Sequence, residues 1–163
     1  MALMKFITEN PCNSPYDEKY KDDAAIGNVI DYVCNPEKTD GRIGGWAVDP
    51  RCAAYEMELL SRLFRNDQGV RLRHWIITFA DSELHMLERR FRCDPMTALY
   101  HMGAYFSAFY RERHQILYAV HGGDLPHLHF VMNMVSYVDG KKFSGSRAEY
   151  YRYEKYAKGI ALR

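Results

Sequence analysis

No run of this 163-residue sequence approaches the ~18 consecutive apolar residues of a membrane-spanning helix, and its start lacks the apolar core of a signal peptide. Neither membrane insertion nor export is therefore expected. Cysteine is scarce. Cys12, Cys34, Cys52 and Cys93 contain no C-x-x-C pair and no spacing of a disulfide framework, which points to a reducing, cytoplasmic setting. Neither sign of charge dominates: a formal net charge of +1 argues neither for nor against nucleic acid, so such binding has to come from local clustering. Repeats and low-complexity tracts are absent too. What remains is an ordinary globular composition, 47% hydrophobic, with 13 Tyr, 8 Phe and 2 Trp. A chain of this length forms one domain and buries about two-thirds of its unfolded surface.

Apolar periodicity orders the chain. Met4 to Ile7 reads as a short strand, and the polar stretch to Asp23 as an arm, so residues 1–23 are assigned to an N-terminal arm and 24–163 to the domain. Ile26, Val29, Ile30 and Val33 recur at helical spacing until Asn35-Pro36 stops them, with Tyr32 off the centre of the stripe. Residues 37–48 are glycine-rich and are expected to loop or pair weakly. Asp49-Pro50 opens a second helix, with Ala53, Met57, Leu60 and Phe64 buried and Gly69 as its end. Arg71 to Phe79 reads as a strand whose more polar face is Leu72, His74, Ile76 and Thr78. Asp94-Pro95 caps a helix with Leu99, Met102, Phe106 and Phe109 on its core face, and Ser146 to Glu149 fits a capping box for a last helix. The order is strand, helix, helix, strand, helix, strand, strand, helix. Such an order predicts α+β with an antiparallel sheet.

Chemistry concentrates between Tyr118 and Tyr137. In a strand, alternate side chains share a face, so His127, His129, Val131 and Asn133 line one surface and Leu128, Phe130, Met132 and Met134 the other. The second set asks to be buried; the first cannot be buried without partners for its imidazoles. His121 ends the preceding apolar run, and Gly122-Gly123-Asp124 is turn chemistry. Two antiparallel strands would bring the three imidazoles together, where they could hold a divalent ion with positions open for water or substrate, and Asp124 could orient one ring from behind. A zinc hydrolase and a phosphoryl transferase both remain open at this point.

Four stretches, in order, resemble one family. H-G-G-D-L-P-H-L-H-F-V-M-N resembles the histidine motif of relaxases, the mobilisation nucleases of conjugative plasmids and transposons. D-Y-V-C-N-P-E-K-T (31–39) resembles the N-terminal tyrosine motif of relaxases from Gram-positive bacteria, G-W-A-V-D-P-R-C-A-A-Y-E-M (45–57) the segment that follows it, and R-H-W-I-I-T-F (73–79) the central strand motif. The resemblance covers roughly residues 24–143. It implies a central antiparallel sheet of about five strands with helices packed on one face and the histidines on the other. It also implies a reaction: a tyrosine hydroxyl attacks a phosphodiester at a transfer origin, leaving a 5′-phosphotyrosyl link and a free 3′-hydroxyl, and the reverse attack reseals the strand.

Carried onto this sequence, Tyr32 is the nucleophile, His121, His127 and His129 hold Mg²⁺ or Mn²⁺, and Thr78 stands where the family commonly has serine. The interval from His121 to His127 is about one residue shorter than in the family pattern, which leaves the role of Asp124 open. Single-stranded DNA at a transfer origin is the implied partner, with accessory mobilisation proteins and a coupling protein beside it, in a bacterial cytoplasm. Lys38, Arg42, Arg71 and Arg73 flank the expected site as candidates to neutralise phosphates, and Trp46 is a candidate to stack on an unpaired base. Tyr16 and Tyr20 are the next candidates for the nucleophile. Rival readings are a rolling-circle replication initiator or transposase-type nuclease with the same chemistry, and a non-catalytic DNA-binding module.

Overall fold

The computed structural model describes residues 3–8 and 22–161. Its centre is a five-stranded sheet in which every neighbouring pair is antiparallel: β1 (Leu3–Phe6), β3 (Leu72–Thr78), β5 (His127–Ser136), β4 (His114–His121) and β2 (Ile43–Trp46), in that spatial order. The helices are α1 (Ala25–Val33), α2 (Pro36–Thr39), α3 (Ala53–Leu63), α4 (Asp81–Phe91), α5 (Pro95–Ser107) and α6 (Arg147–Ala161). The α+β antiparallel architecture expected from the sequence is the one observed. β1 shows that the chain's start belongs to the sheet, while residues 9–21 of the expected arm, with Tyr16 and Tyr20, lie outside the described residues.

Strand alternation sorts the core. Leu128, Phe130 and Met132 of β5, Ile116, Tyr118 and Val120 of β4, and Trp75 and Ile77 of β3 face one way and pack under Leu84 and Leu87 of α4, Leu99, Met102 and Phe106 of α5, and Tyr153 and Ala157 of α6. Burial of each large side chain there contributes about 1.5–3 kcal/mol. The opposite face carries a smaller core, in which Ile26, Ile30 and Val33 of α1 and Met57 of α3 cover Leu72, Leu117, Ala119 and Val131. The helix layer expected on one face is therefore α4, α5 and α6, and α1 and α3 add cover to part of the histidine face.

Two elements escape the periodicity of the sequence. β2 lies in the stretch expected to loop or pair weakly, yet all four of its residues are in register with β4. Its Gly44 is required by packing: a Cβ there would meet the Tyr118 ring at 2.3 Å, and a Cβ at Gly103 of α5 would meet the same ring equally closely. α4 writes no clear stripe because only Leu84 and Leu87 of its 11 residues are buried. The Glu83 carboxylate accepts from the Ala80 N–H at 2.9 Å and helps start it.

Boundaries differ as well. Asp49 does cap, accepting from Arg51 N–H at 2.9 Å, but Pro50–Cys52 form a 3₁₀ turn before α3 begins. That helix stops at Leu63, before the expected Gly69, and Arg65 turns left-handed just beyond it (φ 53°). Ser146 caps α6 by accepting from Glu149 N–H at 3.1 Å; the Glu149 carboxylate turns to Arg73 instead of completing the box.

Candidate active site

Register builds the site. His121 pairs directly with His127 across β4 and β5, and Ala119 with His129, so the side chains of all three histidines fall on the same face. The connecting turn is held down by Gly122 N–H, which donates to the Lys38 carbonyl at 3.0 Å, and it reverses through Gly123 at φ 103°, a conformation L side chains rarely adopt. One potential ligand atom from each of the three histidines lies within 4.8 Å of the others.

Two of the three proton positions are dictated by the backbone, since a carbonyl can only accept. His121 Nε2–H donates to the Val33 carbonyl at 2.8 Å, and His127 Nδ1–H to the Leu125 carbonyl at 2.8 Å. In the neutral rings this leaves a lone pair on Nδ1 of His121 and on Nε2 of His127. The latter is 3.0 Å from Nε2 of His129. Nitrogens about 2.1 Å from one ion and at right angles to each other would be separated by about 3.0 Å, so the spacing suits a shared cation. Burial pushes the His129 imidazole down to about 2, with smaller contributions from His121, His74, His127 and Lys38, and burial also lowers His121. Uncharged imidazoles are what a metal ion requires. The residues present therefore fit a divalent ion.

Tyr32 lies over this cluster. Its ring meets those of His121 and His129 edge-on, with centroids 5.8 and 5.7 Å apart, yet the residue stays 50% exposed. The hydrogen bond from His121 to Val33 explains the placement: it takes up a carbonyl at the open C-terminal end of α1 and ties that end, one residue beyond Tyr32, to the triad. Asn35 then caps α2, accepting from Glu37 N–H at 3.0 Å, and α2 brings Lys38 Nζ to 4.6 Å from the Tyr32 ring centroid.

The remaining expected residues divide. Thr78 pairs directly with His127 and donates its hydroxyl to the Leu3 carbonyl at 3.2 Å, at the edge of the site. Arg42 is close in the chain to Lys38 but is tied to Asp40 at 3.0 Å and Asp94 at 3.5 Å. Arg71 precedes the far end of β3, where Leu72 pairs with Asn133, roughly 20 Å along the strand from Thr78; it bonds Asp23 there. Arg73 has to be corrected: it points into the main core, fully buried, against Tyr110 at 2.8 Å and Glu149 at 3.3 Å, because odd positions of β3 face away from the histidines. Asp124 is exposed in the turn, and the partners of the rings are the two carbonyls and a fourth imidazole. The face of Trp46 carries the Arg111 guanidinium, 4.5 Å from its centroid.

That fourth imidazole is His74, which the sequence marks only as part of a polar strand face. Its Nε2 is 2.9 Å from His129 Nδ1 and the rings stack at 5.2 Å. Its even position on β3 is the signal that could have found it.

Fold and cluster together describe a small α+β domain whose antiparallel sheet bears a histidine triad able to hold a metal ion. The family model for relaxases, described as the MobA/VirD2-like nuclease domain, matches residues 32–163, and the chain belongs to that family. No curated protein matches the chain. At the level the family carries, the protein is a DNA nuclease of the strand-transferring kind that acts in mobilisation, with single-stranded DNA as its partner. None of the described helices is long and apolar enough to cross a membrane.

Proposed function

We propose that this domain nicks and reseals one DNA strand at a transfer origin, with Tyr32 as the nucleophile and His121, His127 and His129 as the ligands of Mg²⁺ or Mn²⁺. The observation that carries this reading is the convergence of an accessible phenol on three clustered imidazoles. In the forward step the Tyr32 oxygen forms a bond to phosphorus while the bond to the 3′-oxygen breaks. The phenolic proton is lost, the departing 3′-oxygen gains one, and a 5′-phosphotyrosyl ester remains. That ester keeps the energy of the broken bond, so attack by a 3′-hydroxyl reseals the strand without a nucleotide cofactor. A free phenol titrates near 10 and is a weak nucleophile at neutral pH, so its surroundings have to favour the phenolate. When bound, the divalent ion would draw charge from the nonbridging phosphate oxygens. Lys38, beside the Tyr32 ring, offers a positive charge to the phenolate and to the phosphate alike. Thr78, opposite His127, offers a hydroxyl to the strand.

The test is a covalent-adduct assay. Labelled single-stranded oligonucleotides from the protein's own element are incubated with Mn²⁺ or with chelator and run on a denaturing gel. The expected result is a metal-dependent protein–DNA band that Tyr32→Phe abolishes while DNA binding persists. A band retained by Tyr32→Phe would move the nucleophile elsewhere, and tight zinc binding with no band would favour a hydrolase. Competition between transfer-origin and replication-origin oligonucleotides separates mobilisation from rolling-circle initiation.

A further inference from the structure

We propose that His74 is a positioning residue for the metal site: as the acceptor behind His129 it holds the His129 proton on Nδ1, so that the Nε2 lone pair faces the ion. The inference rests on the metal-site reading above and goes beyond it, because His74 belongs to none of the ligands.

His121 and His127 have their protons set by carbonyls. His129 Nδ1 meets an imidazole nitrogen instead, 2.9 Å away, and an imidazole can donate or accept. Two neutral arrangements follow. In the first, His74 Nε2–H donates to His129 Nδ1, and His129 Nε2–H donates to the His127 Nε2 lone pair 3.0 Å away. Both contacts then hold a proton, and of the three ligand lone pairs only that on Nδ1 of His121 stays open to a metal. In the second, His129 Nδ1–H donates to His74 Nε2, the His74 proton sits on Nδ1, and the Nε2 lone pairs of His127 and His129 face each other. Those lone pairs repel unless a cation lies between them. The two forms contain the same protons, so loading the site exchanges one for the other and releases none from this pair.

The sheet register makes His74 the group able to do this. Ile76 pairs directly with His129, so His74, two residues earlier on the same face, is its diagonal neighbour, within reach of a large side chain. His74 is 4% and His129 3% exposed, so bulk water is kept from taking over the accepting role. A buried N–H left without an acceptor would weaken ion binding, as it does when the group behind a metal-bound histidine is removed.

The experiment compares the unmodified protein with His74→Phe and His74→Gln, measuring Mn²⁺ affinity by calorimetry and the His129 tautomer by ¹⁵N NMR with and without Mg²⁺. Expected are a His129 proton that moves from Nε2 to Nδ1 on loading, a fall in Mn²⁺ affinity of about 10–100-fold in His74→Phe, and substantial recovery in His74→Gln, whose amide oxygen can accept. Wild-type affinity in His74→Phe, equal losses in both variants, or a His129 that keeps its Nε2 proton when loaded would each overturn the role. Should His74→Phe fail to fold, the tautomer of the unmodified protein decides. Absence of any ion binding by the unmodified protein, matched by His127→Ala, would overturn the metal-site reading and this inference together. Intact binding with an indifferent His74→Phe would overturn this inference alone.

Discussion

Two buried polar clusters lie on opposite faces of one sheet, and β3 feeds both through the neighbouring residues Arg73 and His74. On the main-core face Arg73 donates to Tyr110 and Glu149, Tyr110 donates to Glu149, and the guanidinium lies against the rings of Phe6 and Phe143 at 4.1 and 4.8 Å. On the other face His74, His129, His127 and His121 touch in sequence, with Tyr32 over His121 and His129. In the first cluster a cation, an anion and a hydroxyl bond one another. The second gathers imidazoles whose ligand atoms converge as a cation would need. A buried charge pair with its partners in place serves the fold, whereas convergent imidazoles under an exposed phenol suit a reaction.

The two faces should part most visibly at the histidines. His127→Ala should take ion binding and adduct formation to background while changing unfolding free energy by less than about 1 kcal/mol, since the residue is only half-buried. Calorimetry with Mn²⁺ and a urea melt in chelator measure the two effects, and an insoluble variant would return His127 to the core. Arg73→Met should do the reverse, because it leaves the Glu149 carboxylate buried without its cation. About 3–5 kcal/mol of stability should be lost, with nicking per folded molecule unchanged. A stable Arg73→Met that binds DNA weakly would put Arg73 back among the groups that touch DNA.

Acid separates the faces more gently. Burial keeps the imidazoles of His129, His121 and His114 below their ordinary value of 6.5, so the folded protein leaves them neutral where the unfolded chain takes up protons. As pH falls from about 6.5 towards 4, the unfolded state binds more protons and stability drops, by up to about 1.4 kcal/mol per pH unit for each such histidine. Asp49, Asp94 and Asp139, whose carboxyls are held low chiefly by hydrogen bonds, add their losses only once pH falls below about 4. Denaturant melts of the chelated protein at pH 7 and 5 check this, and equal stability at both would contradict the buried neutral cluster. The smallest effect concerns the cations. Lys38→Met should weaken binding to single-stranded DNA and lower the slope of its salt dependence by about 0.7 for each phosphate no longer neutralised, whereas Arg71→Met should leave both unchanged. Salt-titrated binding of the two variants side by side measures this, and an effect confined to Arg71→Met would relocate the DNA path to the far end of β3.

Much of this is legible because strands have a period of two. His127 and His129 alternate with Leu128 and Phe130, so one face has to be apolar and the other has to find partners for imidazoles, and the glycine turn sets His121 opposite them. Tyr32 can be singled out only through its motif, since half-exposed tyrosines are common and nothing in the α1 stripe marks one as a nucleophile. Arg73 misleads by its place in the chain: it is one residue from His74, and that single step carries it through the sheet to the other face. β2 is illegible because its Gly44 is there for Tyr118, a residue some 70 positions away.

Sequence alone determined the sheet-forming alternation, the three clustered histidines, the tyrosine motif and the order of most elements, because each is written in local spacing that the backbone period converts into geometry. Tertiary structure decided what local spacing cannot carry. It tied α1 to the triad through the Val33 carbonyl, brought Lys38 beside Tyr32 and took Arg73 and Arg71 away from the site. It also set His74 behind His129, since those contacts depend on which strands become neighbours and in what register.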